Sequence, residues 1–396
     1  MGNTNKTWKI GLLYSQTGVT SVIEQTQLNA TLLAVREINL AGGIQGIPLE
    51  AIVYDPSSDP EKYFSLAKKL VEKDRINMIF GCYMSSARKA VLPIVENYNG
   101  LLWYSTLYEG YEFSNNVIYT GAAPNQNSAL LSEYLLNKFG ARYYFIGSNY
   151  IYPYESNRIM RQLLEASGRE VVAERYIPLM PTQDDIDYTL SDILEKRPNV
   201  IFSTIVGSGT KKFYRKYWSA GMRPESMPIV SLTTSEAEVA EIGVEAASGH
   251  ITASPYFQSV NSPENHHFVK KYHDMFGSTA STNACCEAAY FQVHIYANAL
   301  RSTAKDDTDL IRSATLGASF NAPQGVVTID KDNHHSYLWP KIGRINHKGQ
   351  FDIIHSANHA VKPDPYMVHF QNMSKKMSIK QEQVYYRQTS DISTRH

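Results

Sequence analysis

The chain has 396 residues, Lys+Arg and Asp+Glu both total 38, and 43% of residues are hydrophobic against 19% charged. That length exceeds one ordinary core and suits two domains, while the balanced charge excludes a phosphate-rich partner held by bulk electrostatics. The three cysteines, Cys82, Cys285 and Cys286, make neither a disulfide framework nor a zinc spacing.

The N-terminal segment carries no basic leader, its apolar run Ile10–Leu13 is too short for a signal-peptide core, and no stretch reaches the roughly 20 apolar residues of a membrane span. The expectation is a cytoplasmic protein without membrane insertion, or an extracytoplasmic one if a leader has been removed. Trp8–Ser15 reads as a buried strand. Ser21–Leu40 reads as a helix with a capping box from Ser21 to Glu24 and apolar positions at Leu28, Leu32 and Val35. The Gly42-Gly43 pair ends it.

Ile47–Asp55 is a second strand, Pro60–Lys73 a second helix and Asn77–Tyr83 a third strand. A helix from Ser85 to Tyr98 and strands at Leu101–Thr106 and Asn116–Gly121 follow. The rhythm then restarts, with a helix at Leu130–Phe139, a strand at Ala141–Ser148 and a helix at Tyr154–Gly168. Further strands fall at Glu170–Ile177, Asn199–Val206 and Met227–Leu232. Strands alternating with helices of this length predict an α/β protein of two doubly wound parallel-sheet lobes. Three short crossings are expected, at Gly121–Gln126, His250–Tyr256 and Gln324–His334. The lobes are then 1–122 with 254–328 and 123–253 with 329–370, and 371–396 reads as a polar, flexible tail.

In open α/β sheets a ligand sits beyond the carboxyl ends of the strands. The residues found there are Tyr83 and Ser85, Tyr104 and Thr106, Tyr150 and Tyr152, Thr204 and Thr233. They are hydroxyls and aromatic faces, able to donate or accept. The nearest ionic groups are Arg88, Glu109, Glu155 and Glu236, of which Arg88 and Glu155 fall within helices and read as solvated. This chemistry suits a small, neutral, polar-headed ligand.

Rival readings are weaker. Cys82 follows a strand but no fixed base accompanies it, and it reads as a small buried hydrophobe rather than a nucleophile. Gly207-Ser208-Gly209-Thr210 lacks the third glycine of a dinucleotide loop and reads as a tight strand-to-helix turn. The pairs His266–His267 and His334–His335 are sequence neighbours that point apart, and His355 with His359 lacks a carboxylate partner, so no metal and no cofactor is expected.

Seven blocks carry a family likeness: Gly11–Thr20, Gly81–Glu96, Ala123–Ala129, Phe145–Arg161, Ser231–Ala240, Ala322–Gly325 and Lys362–Tyr366. Together they resemble the AmiC-like amide sensors that negatively regulate aliphatic amidase operons, a family with the type I periplasmic-binding-protein fold. The resemblance implies a non-catalytic cytoplasmic sensor of acetamide-like ligands that controls an RNA-binding transcription antiterminator and binds no nucleic acid itself. It also implies amide contacts from Tyr83, Ser85, Tyr104, Thr106, Tyr150 and Tyr152. Ser105 and Leu107 stand where the family carries proline, which leaves the rigidity of that loop and the size of the alkyl pocket open, as is a homo-oligomer. The alternative on the same fold is an extracytoplasmic binding protein of a urea or short-chain amide ABC transporter.

Overall fold

Short runs rich in branched and aromatic residues become the strands of a first sheet, and the amphipathic segments between them become its helices. In the computed structural model, which describes residues 6–368, the order is β1 (Trp8–Leu13), α1 (Ser21–Leu40), β2 (Leu49–Tyr54), α2 (Pro60–Glu72), β3 (Met78–Gly81), α3 (Ser85–Asn97), β4 (Leu101–Tyr104) and β5 (Val117–Tyr119). The five strands lie in the order β2-β1-β3-β4-β5 and every neighbouring pair is parallel. The sequence reverses direction between β1 and β3, which is the switch point where such sheets open a crevice.

The second lobe repeats the plan. It contains α4 (Pro124–Lys138), β6 (Arg142–Ser148), α5 (Ile151–Glu165), β7 (Glu170–Ile177), α6 (Gln183–Lys196) and β8 (Val200–Thr204). These are followed by α7 (Ser208–Ser219), β9 (Ile229–Ser231), α8 (Glu236–Ile242), α9 (Val244–Ala247) and β10 (Ile251–Ser254). The chain then returns to the first lobe with α10 (Pro263–Phe276), α11 (Ala284–Thr303) and α12 (Thr308–Thr315), and α11 packs along α1. A small antiparallel sheet of β11 (Ser319–Ala322), β12 (Gly325–Ile329) and β13 (Ser336–Tyr337) sits beside α10 and α11. Finally β14 (Lys341–Ile345) and β15 (Phe351–Ser356) join the second sheet, in the order β15-β14-β10-β9-β8-β6-β7. Its switch point lies between β6 and β8.

The α/β, two-sheet reading is therefore the observed architecture, with three differences. β14 runs antiparallel to both β10 and β15, so the second sheet is mixed. The third crossing is at Leu338–Pro340, later than the expected Gln324–His334, because Gly325 (φ +127°) turns β11 back onto β12 and keeps the chain beside the first lobe. Residues 329–337 thus lie with the first lobe's elements. The Ser21–Glu24 capping box does not form: Thr20 is the N-cap, Ser21 Oγ donates to Gly18 O (2.8 Å), and the buried Glu24 carboxylate accepts from Ser15 N (2.7 Å), Thr20 Oγ1 (2.6 Å) and the Tyr63 hydroxyl. The 371–396 segment lies outside the described residues.

One glycine couples a crossing to the site. A Cβ on Gly121 would stand 2.1 Å from the carbonyl carbon and oxygen of Thr106. Gly121→Ala is therefore expected to push the Thr106–Leu107 backbone aside at a cost of about 1–3 kcal/mol, read as a lower thermal unfolding midpoint. An unchanged midpoint would show that the loop yields freely.

Candidate functional site

The loops that leave β3, β4, β6, β8 and β9 meet between the two sheets. They meet around a small cavity lined by Tyr83, Ser85, Thr106 and Leu107 from the first lobe and Tyr150, Tyr152, Val206 and Thr233 from the second. Six of the eight strand-end residues expected at the site are thus brought together, at the two switch points. Tyr104 and Thr204 stand behind the wall. The Tyr104 hydroxyl donates to the Tyr83 carbonyl (2.9 Å), and Thr204 Oγ1 donates to Asn157 Oδ1 (2.9 Å) inside the second lobe.

Three helices begin at the cavity without a side-chain cap: α3 at Ser85, α5 after its N-cap Tyr150, and α7 after its N-cap Gly207 (φ +66°). The expected tight turn at Gly207 is present, and a Cβ there would meet the Val19 carbonyl oxygen at 2.5 Å. Uncapped first-turn N–H groups leave positive ends aimed at the cleft, where a carbonyl oxygen or other electron-rich atom is stabilised.

The polarity of each hydroxyl is set by its neighbours. Ser85 Oγ donates to Glu109 Oε2 at 2.5 Å and accepts from Arg88 Nη1 (3.3 Å), so one lone pair remains for the cavity. Thr106 Oγ1 accepts from Gln27 Nε2 (3.0 Å) and donates to the Cys82 carbonyl (3.3 Å), leaving one lone pair. Thr233 Oγ1 donates to the Ile205 carbonyl (3.0 Å). The buried Tyr152 hydroxyl has no hydrogen-bond partner among the described residues. Burial pushes the phenols of Tyr83 and Tyr150 far above their ordinary value, so both stay protonated donors.

Sequence reasoning missed Val206, which lines the cavity, and Gln27 on α1, which donates to Thr106 from behind it. Gln27 is the more informative of the two. Its signal was present: Glu24, Gln27 and Thr31 recur at helical spacing and are all fully buried, a polar stripe inside the core that must serve partners. The reading of Arg88 as solvated is corrected. Its side chain is fully buried, with Nη2 on Glu109 Oε1 (3.0 Å) and Nε on Glu112 Oε1 (2.6 Å), and it lies over the rings of Tyr104 and Tyr108 at 4.8 and 4.7 Å. A guanidinium buried this way needs compensating charge, and the two glutamates supply it. Cys82 is buried at the end of β3 (φ +68°), where burial pushes its thiol well above its ordinary value and removes nucleophilic character.

Two neighbouring cavities share the Leu107 wall with this one. One reaches Thr234, Glu236 and Asn283; the other reaches Ser105, Thr120 and Asn127. Burial raises the Glu236 carboxyl to about 8, with the nearby Glu238 charge adding to it, and burial raises Glu238 to about 7. Among the described residues no group of three or more His, Cys, Asp or Glu could hold a metal ion, and no helix is long and apolar enough to cross a membrane.

The chain belongs to the periplasmic binding protein family: the model of the periplasmic binding protein domain matches residues 8–372. Among curated proteins it is 24% identical over 286 residues to the Leu/Ile/Val-binding protein homolog 6 of Brucella melitensis, covering 71% of this chain and 73% of that one. Among solved structures, it is similar to a solute binding protein of an ABC transporter from Rhodopseudomonas palustris in complex with 3,4-dihydroxybenzoic acid. The TM-score there is 0.82 at 20% identity, covering 90% of this chain and 98% of that one. It is also similar to the branched-chain amino acid transporter substrate binding protein LivJ from Streptococcus pneumoniae in complex with isoleucine, with a TM-score of 0.78 at 20% identity, covering 90% and 100%.

The raised Glu236 carboxyl has a measurable consequence. The unfolded chain releases this proton near the ordinary value of 4.5, whereas the folded chain holds it to about 8. Between those values the unfolded state binds fewer protons, so this group's contribution to stability is lost as pH rises from about 4.5 to 8. Denaturant unfolding at pH 5 and pH 8 is expected to show a smaller decline for Glu236→Gln than for the native chain; equal declines would mean that Glu236 is ionised in the fold.

Proposed function

We propose that the chain is a two-lobed receptor for a short-chain aliphatic amide, of acetamide, formamide or urea size, whose binding sets the closure of the lobes. The observation that carries this reading is the fixed polarity of the cavity. Ser85 Oγ and Thr106 Oγ1 offer acceptors, as an amide NH2 requires, and the Tyr150 hydroxyl with the uncapped helix starts offers donors to a carbonyl oxygen. Leu107 and Val206 supply apolar wall for a short alkyl group.

No charged side chain lines the cavity. An amino acid or a benzoate brings a carboxylate, and desolvating it without a cation costs several kcal/mol. Arg88, the cation behind Ser85, is already committed to two glutamates.

The output of binding has two readings, each favoured by its own observation. The relatives named above include binding proteins of ABC transporters, which favours extracytoplasmic delivery of the amide to a permease. The blocks Gly81–Lys89 and Tyr150–Asn157 resemble the amide sensors and favour cytoplasmic control of an RNA-binding antiterminator of an amidase operon. In either case a ligand shifts the lobes only by its differential affinity for the open and closed states, and a partner reads the ligand only by preferring one state. Co-purification with an antiterminator, released by acetamide, is the expected result of the second reading; capture by a permease complex is that of the first.

Calorimetric titration with acetamide tests the ligand. Ser85→Ala and Tyr150→Phe are expected to weaken binding about tenfold each, as loss of a buried hydrogen bond implies, with unchanged circular dichroism. Unaltered dissociation constants would remove these residues from the site. Because Leu107 separates the cavity from two others, Leu107→Ala is expected to improve binding of butyramide relative to acetamide; an unchanged ratio would show that Leu107 does not limit chain length.

A further inference from the structure

Glu109 does not line the cavity, yet its carboxylate touches a hydroxyl that helps decide what the cavity accepts. It is 3% exposed and sits between Arg88 and Ser85: Arg88 Nη2 donates to Glu109 Oε1 (3.0 Å) and Ser85 Oγ donates to Glu109 Oε2 (2.5 Å). Both carboxylate oxygens thus face donors, and a carboxylate paired with a guanidinium only accepts. The Ser85 proton is therefore directed away from the cavity, and a lone pair of its oxygen is left for the ligand. Arg88 Nη1 lies 3.3 Å from Ser85 Oγ as well, a contact that also requires the oxygen to accept.

We propose that Glu109 is a specificity-determining, positioning residue that makes the site select a ligand N–H over a ligand oxygen anion, so that a carboxamide is bound and the carboxylate of the same shape is refused. The chemistry needs no contact between Glu109 and the ligand. With Ser85 locked as an acceptor, an amide NH2 finds a partner, whereas an acetate oxygen meets a lone pair on Ser85 and a second carboxylate one hydrogen bond behind it. A buried acceptor facing another acceptor costs the full desolvation of both, which is why polar sites discriminate strongly. For a receptor this matters because an amide and the acid made from it by hydrolysis differ only at this position.

Glu109→Gln reverses the polarity in a defined way. Arg88 Nη2 still requires an acceptor, so the Gln carbonyl oxygen takes the position of Oε1 and its NH2 takes that of Oε2, facing Ser85. Gln then donates to Ser85 Oγ, and the Ser85 proton turns into the cavity. The inference rests on the amide reading of the site, and the experiment separates the two. Calorimetry is run with acetamide and with acetate on the native chain, on Glu109→Gln and on Glu109→Asp, with circular dichroism and thermal unfolding to show that each is folded.

If the native chain fails to bind acetamide, the amide reading falls. If the native chain binds acetamide and not acetate, the expected result for Glu109→Gln is about a tenfold loss for acetamide and a measurable gain for acetate, while Glu109→Asp keeps the native preference. A merely structural role for Glu109 weakens both ligands in proportion, and an unchanged acetamide-to-acetate ratio in Glu109→Gln overturns the proposal.

Discussion

A guanidinium with no access to water organises the floor of the cleft. Arg88 projects from the first turn of α3, just behind the ligand cavity, and it is stabilised only because Glu109 and Glu112 close on it and the rings of Tyr104 and Tyr108 cover its faces. Those partners come from β4 and the long loop after it, so satisfying one buried charge pins that loop. Glu112 also accepts from Lys89 (2.9 Å) and Tyr119 (3.2 Å); burial raises its carboxyl, but the charges and hydrogen bonds of Arg88 and Lys89 outweigh that and bring it down to about 2. The Tyr108 hydroxyl meets His335 Nε2 (2.6 Å), whose ring stacks on Tyr119 at 4.2 Å. The arrangement extends the same constraint from the cavity to the edge of the third crossing. Ser85 inherits its polarity from it, and Thr106 inherits its position.

The two lobes solve the same topological problem and leave the same opening. Each sheet winds outward in both directions from an early strand, β1–β3 in the first and β6–β8 in the second, and each opens at its carboxyl edge where the winding reverses. Facing these edges across three short crossings stacks uncapped helix starts, hydroxyls and two apolar side chains around a small volume. Glycine at Gly121 and Gly207 permits backbone to approach backbone there, and larger residues would hold the loops apart. A site split between bodies in this way links occupancy to lobe closure, since contacts on both sides are made only when the lobes are together.

Much of this could be read along the chain. The alternation of apolar strands with helical segments announced two doubly wound sheets, and the strand-end rule picked out Tyr83, Ser85, Thr106, Tyr150, Tyr152 and Thr233, all of which line one cavity. Tyr104 and Thr204 satisfied the same rule but lie behind the wall, because the last residue of a strand can point inward as readily as outward. The β11–β13 hairpin sheet escaped notice: its strands are two to five residues long and too short to show a period. Reading α1 by its capping box and apolar positions missed the buried Glu24–Gln27–Thr31 stripe, which becomes visible only when polar spacing is weighed as carefully as apolar spacing.

By itself, the order of residues determined the elements, their alternation and the chemical character of the cleft, since periodicity and turn chemistry act over neighbouring positions. Which hydroxyls face the cavity and which face the core, that Arg88 is buried rather than solvated, and that Ser85 offers lone pairs rather than a proton were decided by the tertiary structure. Each of those depends on groups more than twenty residues apart, such as Ser85 with Glu109 and Gln27 with Thr106, and no local pattern encodes a hydrogen bond between them.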